Sequence, residues 1–211
     1  MHIYAFGSVC RGEVDATSDI DMLAIVNGYD SRFNPSDYSV YSYGRIQDLW
    51  NQGNPFAWHL FLESELVYSQ DDIDFLKSIG QPSRYKSGIE DCEKFRKIFL
   101  SAKESVDSSD LTEIFDLSSV FLAVRNFATC YSLQSELAPD FSRNSARNLG
   151  SLSIPIDASA YSLLERSRVL CTRGLGEIIN RAEIDQAKKS LCEIDSWMMG
   201  ILKTMKNDIY E

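Results

Sequence analysis

Residues 1–26 read M-H-I-Y-A-F-G-S-V-C-R-G-E-V-D-A-T-S-D-I-D-M-L-A-I-V, and this stretch decides the fold of the first part of the chain. An apolar run at 3–6 ends in Gly7-Ser8, and a polar loop then leads to a second apolar run at 21–26. Short apolar runs bounded by turn residues are typical of buried β-strands. The stretch therefore predicts two strands joined by a polar loop.

Two carboxylates stand where the second strand begins. Asp19 and Asp21 are separated by one residue, so on a strand their side chains would project from the same face. Neighbouring carboxylates repel and raise each other's pKa unless a cation lies between them. Hard oxygen ligands favour Mg²⁺ or Mn²⁺. The Gly7-Ser8 turn adds backbone N–H groups and a hydroxyl that suit phosphate oxygens, and together these features predict nucleotidyl transfer.

The order of these motifs resembles the signature of the DNA polymerase β-type nucleotidyltransferase superfamily. The signature here is strand, Gly7-Ser8, Arg11-Gly12, Ser18-Asp19-Ile20-Asp21, strand. It is most similar to the minimal and antibiotic-modifying members that carry a C-terminal helical domain. The resemblance implies that Asp19 and Asp21 are catalytic and hold Mg²⁺ or Mn²⁺ between a nucleoside triphosphate and an attacking hydroxyl. It also implies that Gly7 and Ser8 contact the phosphates.

Arg11 and Ser18 complete the nucleotide-binding set that the resemblance implies, and each has a simpler alternative. Arg11 could reach a phosphate or be a solvated side chain. Ser18 could contribute to the nucleotide site or only organise the turn before Asp19.

The family's third acid has no obvious counterpart. Relatives place an Asp or Glu on a later strand, where it binds metal or deprotonates the acceptor hydroxyl. The predicted third strand, residues 38–43, reads Y-S-V-Y-S-Y and contains no acid. Asp37, at the edge of this strand, is the expected catalytic residue, and Glu63 and Glu65 are alternatives. If none of them serves, the chain is a degenerate nucleotide-binding or interaction protein.

The pattern of the chain changes near residue 80. Strands at 3–6, 21–26 and 38–43, a helix at 45–52 and a helix-then-strand segment at 59–68 precede it. Long amphipathic helices follow it, at 83–106, 111–133, 158–172 and 182–208, with a shorter helix at 142–149. The expected fold class is α+β: a small mixed-sheet nucleotidyltransferase-like domain, 1–80, followed by an α-helical bundle, 81–211.

Composition restricts the acceptor only weakly. The net charge is −10, with 31 acidic and 21 basic residues, which does not favour general attraction to nucleic acid. We expect transfer of AMP from ATP to a hydroxyl on a small molecule, a protein or an RNA such as tRNA. No segment reaches eighteen apolar residues, so no membrane span is expected and the chain is interpreted as cytoplasmic. Relatives have a helix before the first strand; here the helical bundle or a second subunit, in a homodimer, would cover that surface.

Two features outside the first loop complete the sequence predictions. Arg125 and Asn126 interrupt an otherwise apolar helix, which predicts either a hydrogen-bond clamp between helices or a contact with substrate. The same helix resembles HEPN-type helical domains, but residues 81–211 contain no histidine, so their ribonuclease motif is not expected. His59, among apolar neighbours, is interpreted as a core residue.

Overall fold

A computed structural model describes residues 1–14, 18–135 and 137–207. The chain forms two compact units, of which the first is Met1–Lys86 and the second begins at Ser87. The division between the units therefore falls after Lys86, whereas the sequence pattern placed it after residue 80. The first unit contains β1 (His2–Phe6), β2 (Asp21–Val26), β3 (Ser39–Ser42), α1 (Tyr43–Asn51), α2 (Pro55–Glu63), β4 (Ser64–Ser69) and α3 (Phe75–Ser78). The second contains α4 (Gly88–Ser108), α5 (Glu113–Gln134), α6 (Ala158–Arg173) and α7 (Arg181–Asn207).

The strands of the first unit form one mixed sheet in the order β3-β2-β1-β4. β1 is antiparallel to both of its neighbours, and β3 runs parallel to β2. Phe6, the last residue of β1, pairs with Asp21 at the start of β2 and with Ser64 at the start of β4. This register brings three strand ends together at one edge of the sheet. A mixed sheet followed by helices confirms the α+β prediction.

The sheet buries a different core on each face. Alternating residues of β1 and β2, including Tyr4, Phe6, Leu23 and Ile25, pack in one cluster with buried residues of α1 and α2. The other face carries a smaller cluster built on Ala24, Val26 and Phe33. Because strand side chains alternate between faces, the apolar run of β2 is buried on both sides.

The helix-to-strand passage from α2 to β4 positions one important side chain. Asn54 caps α2 by accepting the N–H of Phe56 at 2.9 Å, and Pro55 occupies the first turn, where its missing N–H costs nothing. Glu63 ends α2 and Ser64 begins β4 without an intervening loop. Glu63 therefore lies directly before the strand that pairs with β1.

The second unit is built on four long helices. Their buried faces carry large apolar side chains, such as those of Phe99, Leu117, Phe127, Leu164 and Ile194. The burial of these large side chains stabilises the unit by about 1.5–3 kcal/mol each.

The helix predicted at 142–149 is wrong. The structure has only single 3₁₀ turns there, at Ser145–Arg147 and Gly150–Leu152. Asp140 accepts the N–H of Ser142 at 2.7 Å and the side-chain amide of Asn148 at 2.7 Å. Such local bonds from side chains compete with an α-helix and favour turns.

Arg125, a polar residue inside α5, forms hydrogen bonds that hold a loop against this helix. Arg125 donates from Nη2 to the carbonyl oxygen of Phe141 at 2.6 Å and from Nε to that of Ser142 at 3.3 Å. Both acceptors lie in the connection that follows α5. The predicted clamp therefore exists, and the partner is a loop backbone instead of another helix.

Candidate active site

The loop after β1 is closed by its own backbone. Gly7 has a φ of +77°, a conformation that favours glycine, and it starts a 3₁₀ turn. The N–H groups of Cys10 and Arg11 both bond the carbonyl of Gly7, and Glu13 N–H bonds the carbonyl of Ser8 at 2.9 Å. Ser18 Oγ reaches the carbonyl of Glu13 at 3.5 Å. The loop that the sequence assigned to phosphate binding is thus a compact, internally bonded turn.

Gly7 and Asp21 stand in close contact. A methyl group added at Gly7 would lie 2.9 Å from Oδ2 of Asp21 and 3.8 Å from Nε2 of His59. The pairing of Phe6 with Asp21 explains this closeness, because Gly7 directly follows Phe6 and so leaves β1 beside Asp21. Glycine at position 7 therefore leaves the space that the Asp21 carboxylate uses.

A chain of polar side chains continues from this point. His59 Nε2 lies 3.0 Å from Oε2 of Glu63, one helical turn away in α2. Nη1 of Arg11 donates to the same Glu63 oxygen, while Arg11 Nε donates to Glu13 at 2.8 Å. The side chain of Glu63 is only 12% exposed. Arg11 consequently ties the loop to the end of α2.

Electrostatics reinforce this tie. Burial opposes the charge of Arg11, but the hydrogen bond to Glu13 and the attraction of Glu63 outweigh it and raise the pKa of Arg11. The guanidinium is therefore charged at any physiological pH. Two carboxylates occupy its Nε and Nη1 donors, so the phosphate contact predicted for Arg11 would have to use its remaining nitrogen or replace one of these bonds.

Cys10, in the same loop, has none of the features of a nucleophile. Its Sγ donates to the carbonyl of Ala5 at 3.4 Å. Burial, followed by the charges of Glu65 and Glu63, raises the pKa of the Cys10 thiol. A reactive cysteine needs a lowered pKa, so this residue is a structural part of the loop.

Asp19 and Asp21 differ in burial. Asp21 opens β2 and is half-buried, whereas Asp19 precedes the strand and is exposed. Ser8, in the 3₁₀ turn after β1, is also half-buried. Asp21 is thus held by the sheet, and Asp19 belongs to the segment that enters it.

Asp37 lies in a turn before β3. Its N–H bonds the carbonyl of Asn34 at 2.9 Å, and its carboxylate accepts the hydroxyl of Ser36 at 3.0 Å. Ser39, two residues later, pairs with Leu23 of β2. Glu65 is exposed on β4, opposite Ala5. Because opposed residues share a face and faces alternate, Glu65 belongs to the other face of the sheet from Phe6 and Asp21.

The residues present fit a divalent cation that is shared with a substrate. Within residues 1–14, 18–135 and 137–207, no three His, Cys, Asp or Glu side chains are grouped so as to hold a metal ion. Mg²⁺, however, is usually bound by one or two carboxylates together with substrate phosphates. Asp21, half-buried beside Gly7, is placed to be one such carboxylate, whereas the part of the exposed Asp19 stays a prediction.

The sequence analysis interpreted His59 as a core residue and did not predict that it lies beside Gly7 and Glu63. It does contact the core, since its ring meets Phe6 edge-to-face at 5.5 Å between centroids. Its Nε2 nevertheless faces Gly7 and Glu63. The available signal was the spacing of His59 and Glu63, four residues apart on a predicted helix, which places them on one face.

Comparison with known proteins agrees with this geometry. Residues 2–95 match the family model described as "Nucleotidyltransferase domain". This match is consistent with the polymerase β-type superfamily that the Gly7-Ser8 and Asp19-x-Asp21 motifs resemble. No curated protein matches the chain. In the part of the chain that the structure describes, no helix has the length and apolar character needed to cross a membrane.

Proposed function

Because the chain carries an N-terminal nucleotidyltransferase domain, we propose that it transfers a nucleoside monophosphate, AMP from ATP, to a hydroxyl group and releases pyrophosphate. The observation that carries the proposal is the contact of Gly7 with the Asp21 carboxylate at the edge of the sheet. A carboxylate held beside a side-chain-free turn offers a metal ligand next to backbone that a triphosphate can approach.

Asp19 and Asp21 are the residues that we assign to the divalent cation, Mg²⁺ or Mn²⁺. When bound, this cation supplies charge neutralisation and alignment for in-line displacement at phosphorus. The chain's own contribution is positioning. Pairing with Phe6 fixes Asp21, and the bonds from Arg11 to Glu63 and Glu13 fix the loop that carries Gly7 and Ser8.

We assign to Asp37 the role of general base, which removes the proton from the acceptor hydroxyl. Asp37 lies two residues before Ser39, the first residue of β3, and β3 runs parallel to β2, so Asp37 belongs to the end of the sheet where β2 begins. Glu63 is the alternative, since it lies beside His59 and is one step from Gly7. Asp37→Asn and Glu63→Gln distinguish them: the variant that loses kcat while it retains nucleotide affinity identifies the base.

The experiment is a transfer assay with labelled ATP, GTP, CTP and UTP, with Mg²⁺ or Mn²⁺ and a cell lysate as the source of acceptors. We expect label from ATP in an acceptor that can then be identified as small molecule, protein or RNA. Asp21→Asn should abolish transfer. Asp48→Asn, which changes an exposed acid on α1, is the matched control and should leave transfer intact.

A second candidate function is nucleotide binding without turnover. It is favoured by the absence of an acid from β3 and by the lack of a three-residue metal cluster in the described residues. Mg²⁺-dependent binding of ATP that Asp21→Asn weakens, with no transfer from any of the four nucleotides in the same assay, would support this candidate and contradict the enzymatic one.

A further inference from the structure

A cavity of about 760 Å³ lies between α4 and α7 in the helical unit. Its volume is within the range of small-molecule sites in proteins. Four of its lining side chains are cationic: Arg96 and Lys97 come from α4, and Lys203 and Lys206 from α7. Among the lining residues that the structure describes, Glu93 is the acid.

This concentration of positive charge runs against the composition of the chain, whose net charge is −10. Like charges gathered around one cleft repel, and the repulsion must be offset by counter-charges. Two acids provide part of the offset. Asp195 accepts Nη2 of Arg96 at 2.7 Å, and Glu93 pairs with Nζ of Lys206 at 2.5 Å. The bond from Lys206, with a smaller contribution from Lys97, lowers the pKa of Glu93.

Lys97 and Lys203 are the two lining cations that lie outside these two ion pairs. Neither forms an ion pair with any acid in the part of the chain that the structure describes, and both are exposed. They stand on opposite walls of the cavity, one on α4 and one on α7. An anion placed between the walls would therefore meet a positive charge on each side.

We propose that this cavity binds a small molecule that carries two or more phosphate groups. Several phosphates match a charge distribution that extends across two helices, and lysine and arginine are the usual partners of phosphate oxygens. Met199 is exposed in the cavity, and a side chain at Gly200 would meet only open space. This apolar, open part of the wall accommodates the organic body of the ligand.

The proposed site is distinct in chemistry from the nucleotidyltransferase site. It contains cations in place of paired carboxylates, so it binds phosphate without a divalent metal. None of its lining residues is among Gly7, Arg11, Asp21, His59 and Glu63. Binding measured in excess EDTA therefore reports on the α4–α7 cavity, because a triphosphate held through Asp19 and Asp21 needs Mg²⁺ or Mn²⁺.

The test is isothermal titration calorimetry of the full chain in EDTA, with inorganic tripolyphosphate in one arm and ATP in the other. We expect one equivalent to bind, with an affinity that falls as NaCl is raised. Lys97→Gln with Lys203→Gln should weaken binding by about tenfold or more, since two charge-assisted contacts are lost. Equal affinities for both probes would show that phosphates suffice, and tighter ATP binding would show that the organic body contributes.

The matched control is Lys94→Gln with Lys189→Gln, which removes the same charge from exposed positions of the same two helices outside the cavity. This control should bind like the unaltered protein. If both double variants weaken binding equally, the effect is one of net charge and the proposal is overturned. Failure of the unaltered protein to bind either probe also overturns it. Circular dichroism and thermal melting confirm that each variant is folded.

Discussion

The two units of this chain hold their buried charges in different ways. In the first unit, Arg11 pairs with Glu63, and the Asp21 carboxylate lies beside Gly7 where the ends of three strands converge. In the second, Asp116 lies inside α5, is 5% exposed and accepts the hydroxyls of Ser105 at 2.9 Å and Thr112 at 2.8 Å.

The difference teaches how to separate site residues from structural ones of the same type. A charge within a helix finds its partners in neighbouring turns and connections, and its bonds stabilise the packing. A charge at a converging sheet edge beside a glycine turn adjoins backbone that an anionic substrate can approach. Replacing a charge within a helix should change the free energy of unfolding. Replacing a charge at the sheet edge should change the rate of transfer.

The largest effect should come from replacing Asp21 by asparagine, in comparison with the same replacement of Asp116. Asp21→Asn removes a proposed metal ligand and should lower kcat for transfer by about 1,000-fold or more, as the loss of a transition-state charge contact does. Its melting temperature should stay near that of the unaltered protein. Asp116→Asn should show the converse, lower stability with nearly unchanged kcat. A large loss of stability in Asp21→Asn would break the comparison.

The next effect should be on stability alone. Arg125→Met removes the bonds to the carbonyl oxygens of Phe141 and Ser142, and we expect a loss of about 2–4 kcal/mol in the free energy of unfolding. Urea denaturation measures this change. Lys189→Met, at an exposed position of α7, is the control and should change stability by less than about 0.5 kcal/mol. Were Arg125→Met to abolish transfer without altering stability, Arg125 would be a substrate contact.

Two glycines of the same loop sharpen the role of the Asp21 contact. Gly7 and Gly12 both have positive φ, +77° and +73°, so alanine at either should cost about 1–2 kcal/mol in backbone strain. Only at Gly7 does the new methyl meet Asp21, and at Gly12 nothing lies within 4 Å. Gly7→Ala should therefore reduce kcat by about a further 100-fold relative to Gly12→Ala. Equal kcat values in the two variants would remove the contact from the proposed mechanism.

The smallest effect concerns Asp74 of the first unit. Like Asp116 of the second unit, it should affect stability and leave transfer unchanged. Asp74 accepts the hydroxyl of Tyr4 at 3.0 Å and the N–H of Lys77 at 3.2 Å. Burial alone would raise the pKa of Asp74, but the bonds from Lys77 and Tyr4 outweigh it and lower the pKa. The stabilisation is complete above the unfolded pKa of about 4 and is lost as the pH falls through the folded value.

Asp74→Asn tests this expectation. At pH 7 the variant should be less stable than the unaltered protein by about 0.5–1 kcal/mol, because an amide oxygen replaces the charged carboxylate that accepts the bonds from Tyr4 and Lys77. The difference should shrink when urea unfolding is repeated at pH 3, because the protonated aspartate also lacks the charge. Asp48→Asn, which alters an exposed acid, should show no such convergence. A difference for Asp74→Asn that is constant with pH would exclude a charge-dependent role.

Local patterns predicted much of the first unit. The limits of β2 were predicted at 21–26, as found, and β1 extends only one residue further than predicted. β3 is shorter than predicted because Ser42 already caps α1, accepting the N–H of Arg45 at 3.2 Å. The helix at 142–149 failed because side-chain bonds from Asp140 outweigh the local apolar pattern there.

The sequence by itself determined the strands β1 and β2 and the polar loop that joins them, with Gly7-Ser8 at its start and Asp19-x-Asp21 at its end, because strand periodicity and turn chemistry act over a few residues. Only the tertiary structure decided that His59 and Glu63 join Gly7 and Asp21. Glu63 is 52 residues from Arg11, and the two meet because β4 pairs with β1 directly after α2 ends. Pairing between strands so far apart depends on the whole sheet and its core, which no local pattern contains.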